Sequence, residues 1–258
     1  MGFHIGCQTI TWGENQRERF SQVFDDVVAA GYEGVEIGFR HVRGKAANEL
    51  RKMLDNRGLR LAAIHIGGSL LDPAQADSER RIIDEVLDYL NAVGCSLIIY
   101  SGLRYVSDGQ FDRDFDILNR TAEKCQSQGV RFLYHNHNWE FADDGRVIQA
   151  LLSKSSDALG FCPDIGWVMK GGWNILEFLN RTKGRIGAVH FKDFATRSSE
   201  CDTVILGTGI APLAEAADWI KKNTQDIWII AEQDRADIPP SEAAKSNAAY
   251  LKGIFGKE

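Results

Sequence analysis

The chain repeats one unit. A short apolar run rich in β-branched and aromatic residues is followed by an amphipathic run with helical spacing, and this happens eight times. The apolar runs are residues 3–9, 34–38, 59–66, 97–101, 130–135, 159–163, 187–191 and 227–232. Most are continuous rather than alternating, which is the pattern of strands covered on both faces in parallel sheets. The helical runs are 17–30, 45–56, 72–93, 111–128, 146–154, 175–183, 212–223 and 241–255. In the first of them Phe20, Val23, Phe24, Val27 and Val28 recur at the spacing of one helix face. Gly31, Gly58, Gly94 and Gly129 each stand between a helical run and the next strand, where a helix stop belongs. Asp72-Pro73 reads as an N-cap followed by Pro at the first helical position.

Right-handed crossovers leave two folds for such a chain, a closed eight-stranded barrel or an open doubly wound sheet. The open sheet usually carries a Gly-rich phosphate turn after its first strand. Here that strand runs into Thr-Ile-Thr-Trp-Gly-Glu-Asn, without G-x-G-x-x-G. Eight units in 258 residues also match a barrel of about 250 residues. The sequence therefore predicts the α/β class and a single (β/α)8 TIM barrel domain over 1–258, with its active site at the C-terminal ends of the strands.

Acidic residues outnumber basic ones, 36 to 30, for a net charge of −6. That argues against nucleic acid as a partner, because its binders carry a basic footprint. No apolar run approaches the ~20 residues of a membrane span. Residues 1–13 lack the basic start and apolar core of a signal peptide, so the cytoplasm is the expected compartment. The five cysteines (Cys7, Cys95, Cys125, Cys162 and Cys201) are odd in number and show no C-x-x-C spacing, so they read as core residues rather than a disulfide framework.

If the barrel forms, what each strand ends in decides the chemistry. The markers are Glu36, His65, Tyr100, His135 with His137 just beyond, Asp164, His190 with Lys192, and Glu232. Each follows the last by roughly one βα unit, so these side chains should converge on one mouth. Asp164, His190 and Glu232 with a residue of the fifth strand are suited to one divalent cation (Mn, Co, Zn, Fe or Mg), since carboxylate and imidazole need no thiolate. The alternative is that each is bonded to a neighbouring loop or paired with Lys192 or Arg235. His4, at the start of the first strand, lies at the opposite end and reads as structural. Trp12 would stack on a ligand or pack in the core at the barrel rim, and Trp139, Trp167 and Trp173 would line a small-ligand pocket or serve a homo-oligomeric contact. Glu36 and His65 would bond substrate hydroxyls, with Tyr100, Glu140 and Arg235 as further substrate-binding candidates. The turn Gly207-Thr208-Gly209 could present amides to a phosphate, although turn geometry alone explains it.

Six segments carry a family resemblance: GYEGVEIG (31–38), YHNHNWEF (134–141), CPDIGW (162–167), VHFKD (189–193), LGTG (206–209) and AEQD (231–234). With them, and over essentially its whole length, the chain resembles the xylose isomerase-like superfamily of sugar isomerases, epimerases and dehydratases. The resemblance implies Asp164, His190 and Glu232 as ligands of one divalent cation. The fifth strand departs from the family's Glu-x-His, because His135-Asn136-His137 stands there. By position His135 would replace the ligand Glu, and His137 would match the catalytic or substrate-facing His. Inosose dehydratase-like members share a His-rich end to this strand. C3 epimerases of this fold use carboxylates from the fifth and eighth strands on opposite faces of the substrate; here Glu232 would be left alone unless Glu140 reaches back.

The implied chemistry is proton abstraction next to a carbonyl on a keto-sugar or related polyol, through a metal-stabilised enediolate. Glu232 or His137 would be the base, and the other imidazole or Lys192 the acid. A sugar isomerase or epimerase is the first expectation. A lyase dehydrating a keto-cyclitol or 3-keto sugar is the alternative, and a non-catalytic sugar-binding barrel a weaker one. A metal-dependent endonuclease for abasic DNA shares the fold, but it would need more His and carboxylate ligands than this chain supplies.

Overall fold

The computed structural model describes residues 2–67, 70–71, 76–198 and 202–257. Eight parallel strands form one sheet: β1 (His4–Gln8), β2 (Gly34–Gly38), β3 (Arg60–Gly67), β4 (Leu97–Ser101), β5 (Arg131–His135), β6 (Leu159–Cys162), β7 (Ala188–Phe191) and β10 (Trp228–Ala231). Their spatial order is β6-β5-β4-β3-β2-β1-β10-β7. The two edges then meet. Phe161 bridges Ile186 and Asp164 bridges His190, both in parallel, and the His190 amide donates to the Pro163 carbonyl at 2.9 Å. The result is a nearly closed TIM barrel, as the alternation of runs predicts. Between β7 and β10 a small antiparallel ribbon pairs β8 (Asp193–Phe194) with β9 (Thr203–Val204).

The helices surround the barrel: α1 (Phe20–Ala30), α2 (Phe39–Val42), α3 (Ala47–Asp55), α4 (Ala76–Val93), α5 (Asp108–Ser127), α6 (Ala142–Lys154), α7 (Ile165–Lys170), α8 (Ile175–Thr182), α9 (Leu213–Asn223) and α10 (Pro240–Phe255). Phe20, Val23, Phe24 and Val27 of α1 are buried as expected, whereas Val28, read on the same face, is 41 % exposed. Gly31 ends that helix in the left-handed conformation (φ +86°), and Gly58, Gly94 and Gly129 also have positive φ. These four positions adopt the helix-stop geometry that glycine accommodates without a Cβ penalty. The expected Asp72-Pro73 cap and Cys201 lie outside the described residues. In α6, Asp143, Asp144 and Gly145 have positive φ, so the regular helix begins at Arg146, the start expected from sequence.

Two apolar layers result. The larger lies between strands and helices. The smaller fills the lumen and includes Ala63, Leu97, Ile99, Leu133, Cys162, Ala188 and Ile230. Strand side chains alternate with period two. Hence His135 shares the lumen face with Leu133, Asp164 with Cys162, His190 with Ala188, and Glu232 with Ile230. The small apolar plug therefore ends, at the C-terminal rim, in a ring of polar groups.

Candidate active site

His135, Asp164, His190 and Glu232 meet at that rim. One potential ligand atom from each lies within 4.8 Å of every other, and all four residues are buried. The backbone fixes two of them tightly. Asp164 caps α7: its Oδ1 accepts from the Trp167 amide at 2.8 Å, which leaves Oδ2 directed to the cluster. Asn136 ties the end of β5 to Asp164, with Nδ2 donating to its carbonyl at 3.3 Å and Oδ1 accepting from its amide at 3.1 Å. Gly166 lets α7 close over β7, because a Cβ there would meet the Lys192 carbonyl oxygen at 2.5 Å. His190 Nδ1 lies 2.6 Å from Glu232 Oε2.

Several of these atoms lack partners. Neither ring nitrogen of His135, nor Asp164 Oδ2, makes a hydrogen bond among the described residues. His135 Nε2 approaches Asp164 Oδ2 at 3.3 Å and Glu232 Oε2 at 3.5 Å, but without hydrogen-bond alignment. A buried polar atom without a partner costs about 1–3 kcal/mol, and more when charged. Glu36, Asp164 and Glu232 are buried, and Asp234 is 27 % exposed. The buried Lys192 ammonium is the non-histidine cation among them; it sits 2.9 Å from Asp234, 3.4 Å from Glu232 and 3.7 Å from Asp164. Burial alone would lower its pKa, but these carboxylates hold it well above the ordinary lysine value. Burial likewise opposes ionisation of Glu232, yet Lys192 and His190 hold its carboxyl well below the usual range. Burial opposes a charge on His135 and His190, yet the facing carboxylates raise both pKa values, and even with both imidazoles charged the four carboxylates outnumber the three cations. Two imidazoles and two carboxylates converging on one point fit a divalent cation of the Mn, Fe, Co or Zn type.

Above the cluster opens a cavity of about 600 Å³, walled by Trp139 and Trp167 and reached by His137, Lys192, Glu232 and Asp234. His137 stacks on Trp139 with centroids 4.0 Å apart, and the Arg104 guanidinium covers that indole at 4.0 Å. Burial, with His135 and Lys192 nearby, pulls the His137 pKa well below the ordinary histidine value. A smaller cavity, about 140 Å³, runs beside it and is lined by Gln8, His65, His135 and His137 among others.

The sequence pattern of the xylose isomerase-like TIM barrel family matches residues 24–254. The chain belongs to this family. An inosose dehydratase of Clostridium beijerinckii is 25 % identical over 271 residues, covering 92 % of this chain and 90 % of that protein. The crystal structure of a sugar phosphate isomerase/epimerase from Parabacteroides distasonis superposes with a TM-score of 0.82 at 21 % identity, covering 99 % of this chain and 96 % of the other. The IOLI protein with a bound zinc atom superposes at 0.79 and 14 % identity, covering 98 % of each.

In this xylose isomerase-like barrel several expected substrate contacts lie elsewhere. Tyr100 falls on the wrong parity of β4: Leu97, Ile99 and Ser101 share the lumen face, whereas Tyr100 packs on Phe132 and Tyr134 in the outer layer. Trp12 is buried against the helices and donates from Nε1 to Asp26 at 3.0 Å. Glu36 is buried, with His65 on one carboxylate oxygen and His190 on the other. Burial opposes its ionisation, but these two imidazoles hold its pKa at about 2. Glu140 does not reach back to the cluster. Its Oε1 accepts from the Tyr134 hydroxyl at 2.7 Å and its Oε2 from the His137 amide at 2.8 Å. Burial raises it to about 7, against those same hydrogen bonds. Arg235 is exposed, and its backbone is tied to Thr203 at 3.0 Å. Trp173 packs on Phe141, away from the mouth.

The turn Gly207-Thr208-Gly209 already holds an anion of the protein's own. Asp193 Oδ2 accepts from the amides of Gly207 and Gly209 at 3.0 and 2.9 Å, and Oδ1 accepts from Phe194 and Ala211. Two site-facing residues escape the sequence reading, Ser101 and Asp234. Parity is the signal for both, since Ser101 follows Ile99 by two positions and Asp234 follows Glu232 by two.

Proposed function

We propose that this protein is a divalent-metal-dependent lyase that dehydrates a keto-cyclitol or a 3-keto sugar. One observation carries the reading: β5 offers imidazoles, not a carboxylate, to the mouth, and Glu140 is held away by Tyr134 and the His137 amide. Epimerisation by two carboxylates on opposite faces of a substrate then lacks its β5 partner, whereas elimination needs one base on one face. Inosose dehydratases among the relatives, at 23–25 % identity over nearly the full chain, support the same choice.

His135, Asp164, His190 and Glu232 would hold the cation, which when bound supplies Lewis-acid polarisation of the substrate carbonyl, worth several kcal/mol. The chain's own groups do the rest. His137, neutral and fixed by its stack on Trp139, takes the proton from the carbon next to the carbonyl; its lowered pKa makes it a weak base, so the step depends on the acidity that the polarised carbonyl gives that proton. Lys192, kept charged by its carboxylates, hydrogen-bonds the hydroxyl on the β carbon and offsets the negative charge that develops as the C–O bond breaks. The proton on His137 passes to that oxygen and water leaves. The C–H electron pair becomes the new C=C, conjugated with the carbonyl. Trp139 and Trp167 keep bulk water from the reacting face.

Incubating the metal-loaded protein with keto-inositol, and separately with a 3-keto sugar, tests this. Rising ultraviolet absorbance from the conjugated product is expected with at least one of them. An epimer or isomer formed without that absorbance would move the protein to the isomerase side, and no turnover of either class would overturn the reading.

A further inference from the structure

Both carboxylate oxygens of the buried Glu36 are used, and neither faces the substrate cavity. Oε2 lies 2.6 Å from His190 Nε2, the ring nitrogen turned away from Glu232. Oε1 lies 2.9 Å from His65 Nδ1, and His65 Nε2 in turn faces Ser101 Oγ at 3.5 Å. The donors and acceptors along this line fall into one consistent order. The Ser101 hydroxyl donates to His65 Nε2, His65 Nδ1–H donates to Glu36, and His190 Nε2–H donates to Glu36. His190 Nδ1 then faces Glu232 Oε2 at 2.6 Å, and it is the ring atom a cation would take in place of that contact.

We propose that Glu36 is the positioning residue of the metal centre, with His65 as its outer support. By accepting the Nε2 proton Glu36 fixes the tautomer and ring plane of His190, and its charge makes Nδ1 a stronger donor. β2 and β3 thereby take part in holding the cation although they contribute no ligand. This inference rests on the metal-dependent reading above, but it concerns affinity for the ion rather than any substrate.

The test is a cobalt(II) titration of the full chain stripped of metal, followed by its d–d absorption. Glu36→Gln keeps the shape and loses the charge; it is expected to bind cobalt about 10–100-fold more weakly, and because it also breaks buried contacts to two imidazoles the titration is run below its lowered melting temperature, with circular dichroism confirming the fold. His65→Gln should weaken binding by less, several-fold. In the zinc-loaded parent a downfield imidazole N–H proton resonance from His190 is expected, and Glu36→Gln should shift it upfield, which a general loosening of the fold would not do. Glu36→Gln binding cobalt as tightly as the parent would overturn the inference and leave the metal reading standing. A parent that binds no cobalt would overturn both. If Glu36→Gln does not fold, His65→Gln decides: unchanged affinity and an unshifted resonance overturn the proposal.

Discussion

Both ends of the barrel carry a histidine among carboxylates and cations, yet the two networks differ in kind. At the N-terminal end His4 Nδ1 lies 2.8 Å from Glu33, which also accepts from the Ile5 amide, Arg60 and Lys257. The side chains of His4 and Glu33 are 28 % and 35 % exposed. Each charge there has a partner and water within reach. At the C-terminal end His135, Asp164 and His190 are sealed from water, and three of their polar atoms have no hydrogen-bond partner among the described residues. Cavity size does not separate the ends: about 490 Å³ opens beside His4, Arg60 and Trp228, against about 600 Å³ over the cluster. What separates them is satisfaction. A solvated, paired network explains itself, whereas a buried, half-paired one calls for another species.

Removing a carboxylate should therefore have opposite meanings at the two ends. Asp164→Asn or Glu232→Gln should lose bound metal, read by elemental analysis. Several kcal/mol of transition-state stabilisation would go with it, roughly 10³-fold or more in kcat/KM. The fold should persist, because an asparagine in place of Asp164 can still cap α7 through its side-chain oxygen, and circular dichroism checks that. Glu33→Gln should leave metal content and turnover unchanged. If the two mouth variants keep both metal and activity, the contrast between the ends collapses.

Metal removal sharpens the same contrast without mutation. Free metal at 1,000 times its dissociation constant stabilises the native state by about 4 kcal/mol. For a chain of this size that corresponds to roughly 8–16 °C in melting temperature, so calorimetry with and without a chelator should show a fall of that order. His135→Glu should retain the ion, since a carboxylate replaces an imidazole as donor and adds charge. Loss of metal in this variant would show that the imidazole itself is required.

The barrel and the four clustered residues are legible in the sequence because both rest on periodicity. Apolar runs with helix-stopping glycines mark the strands, and a polar residue ending an inward-facing row marks the rim. Legibility ends where parity is ignored or where a loop decides. Tyr100 reads as a strand-end marker, but Ser101 is the inward residue of β4. Glu140 sits in a 3-10 turn, Trp139–Phe141, whose curl gives its carboxylate to Tyr134 and the His137 amide; no spacing rule reports that. Glu36, expected at the end of its strand, lies in the middle of β2, and its role depends on which imidazoles lie across the lumen, 29 and 154 residues away in sequence.

The smallest expected effect lies at the satisfied end and concerns acid stability. Burial would raise the Glu33 pKa, but the hydrogen bonds from Lys257, His4 and the Ile5 amide outweigh it and bring the folded value to about 2, from an ordinary 4.5. A carboxyl whose pKa is lowered on folding contributes its full stabilisation above the unfolded value and loses it as pH falls through the folded one. The contribution should thus be present above pH 4.5 and disappear between there and pH 2. The network is partly exposed, so screening by water reduces it to about 1 kcal/mol, or roughly 2–4 °C in melting temperature. Glu33→Gln should melt lower than the parent by that amount near neutral pH, and the two curves should converge toward pH 2. A parent and variant that stay equally far apart across the whole acid range would show that Glu33 acts there through packing rather than charge.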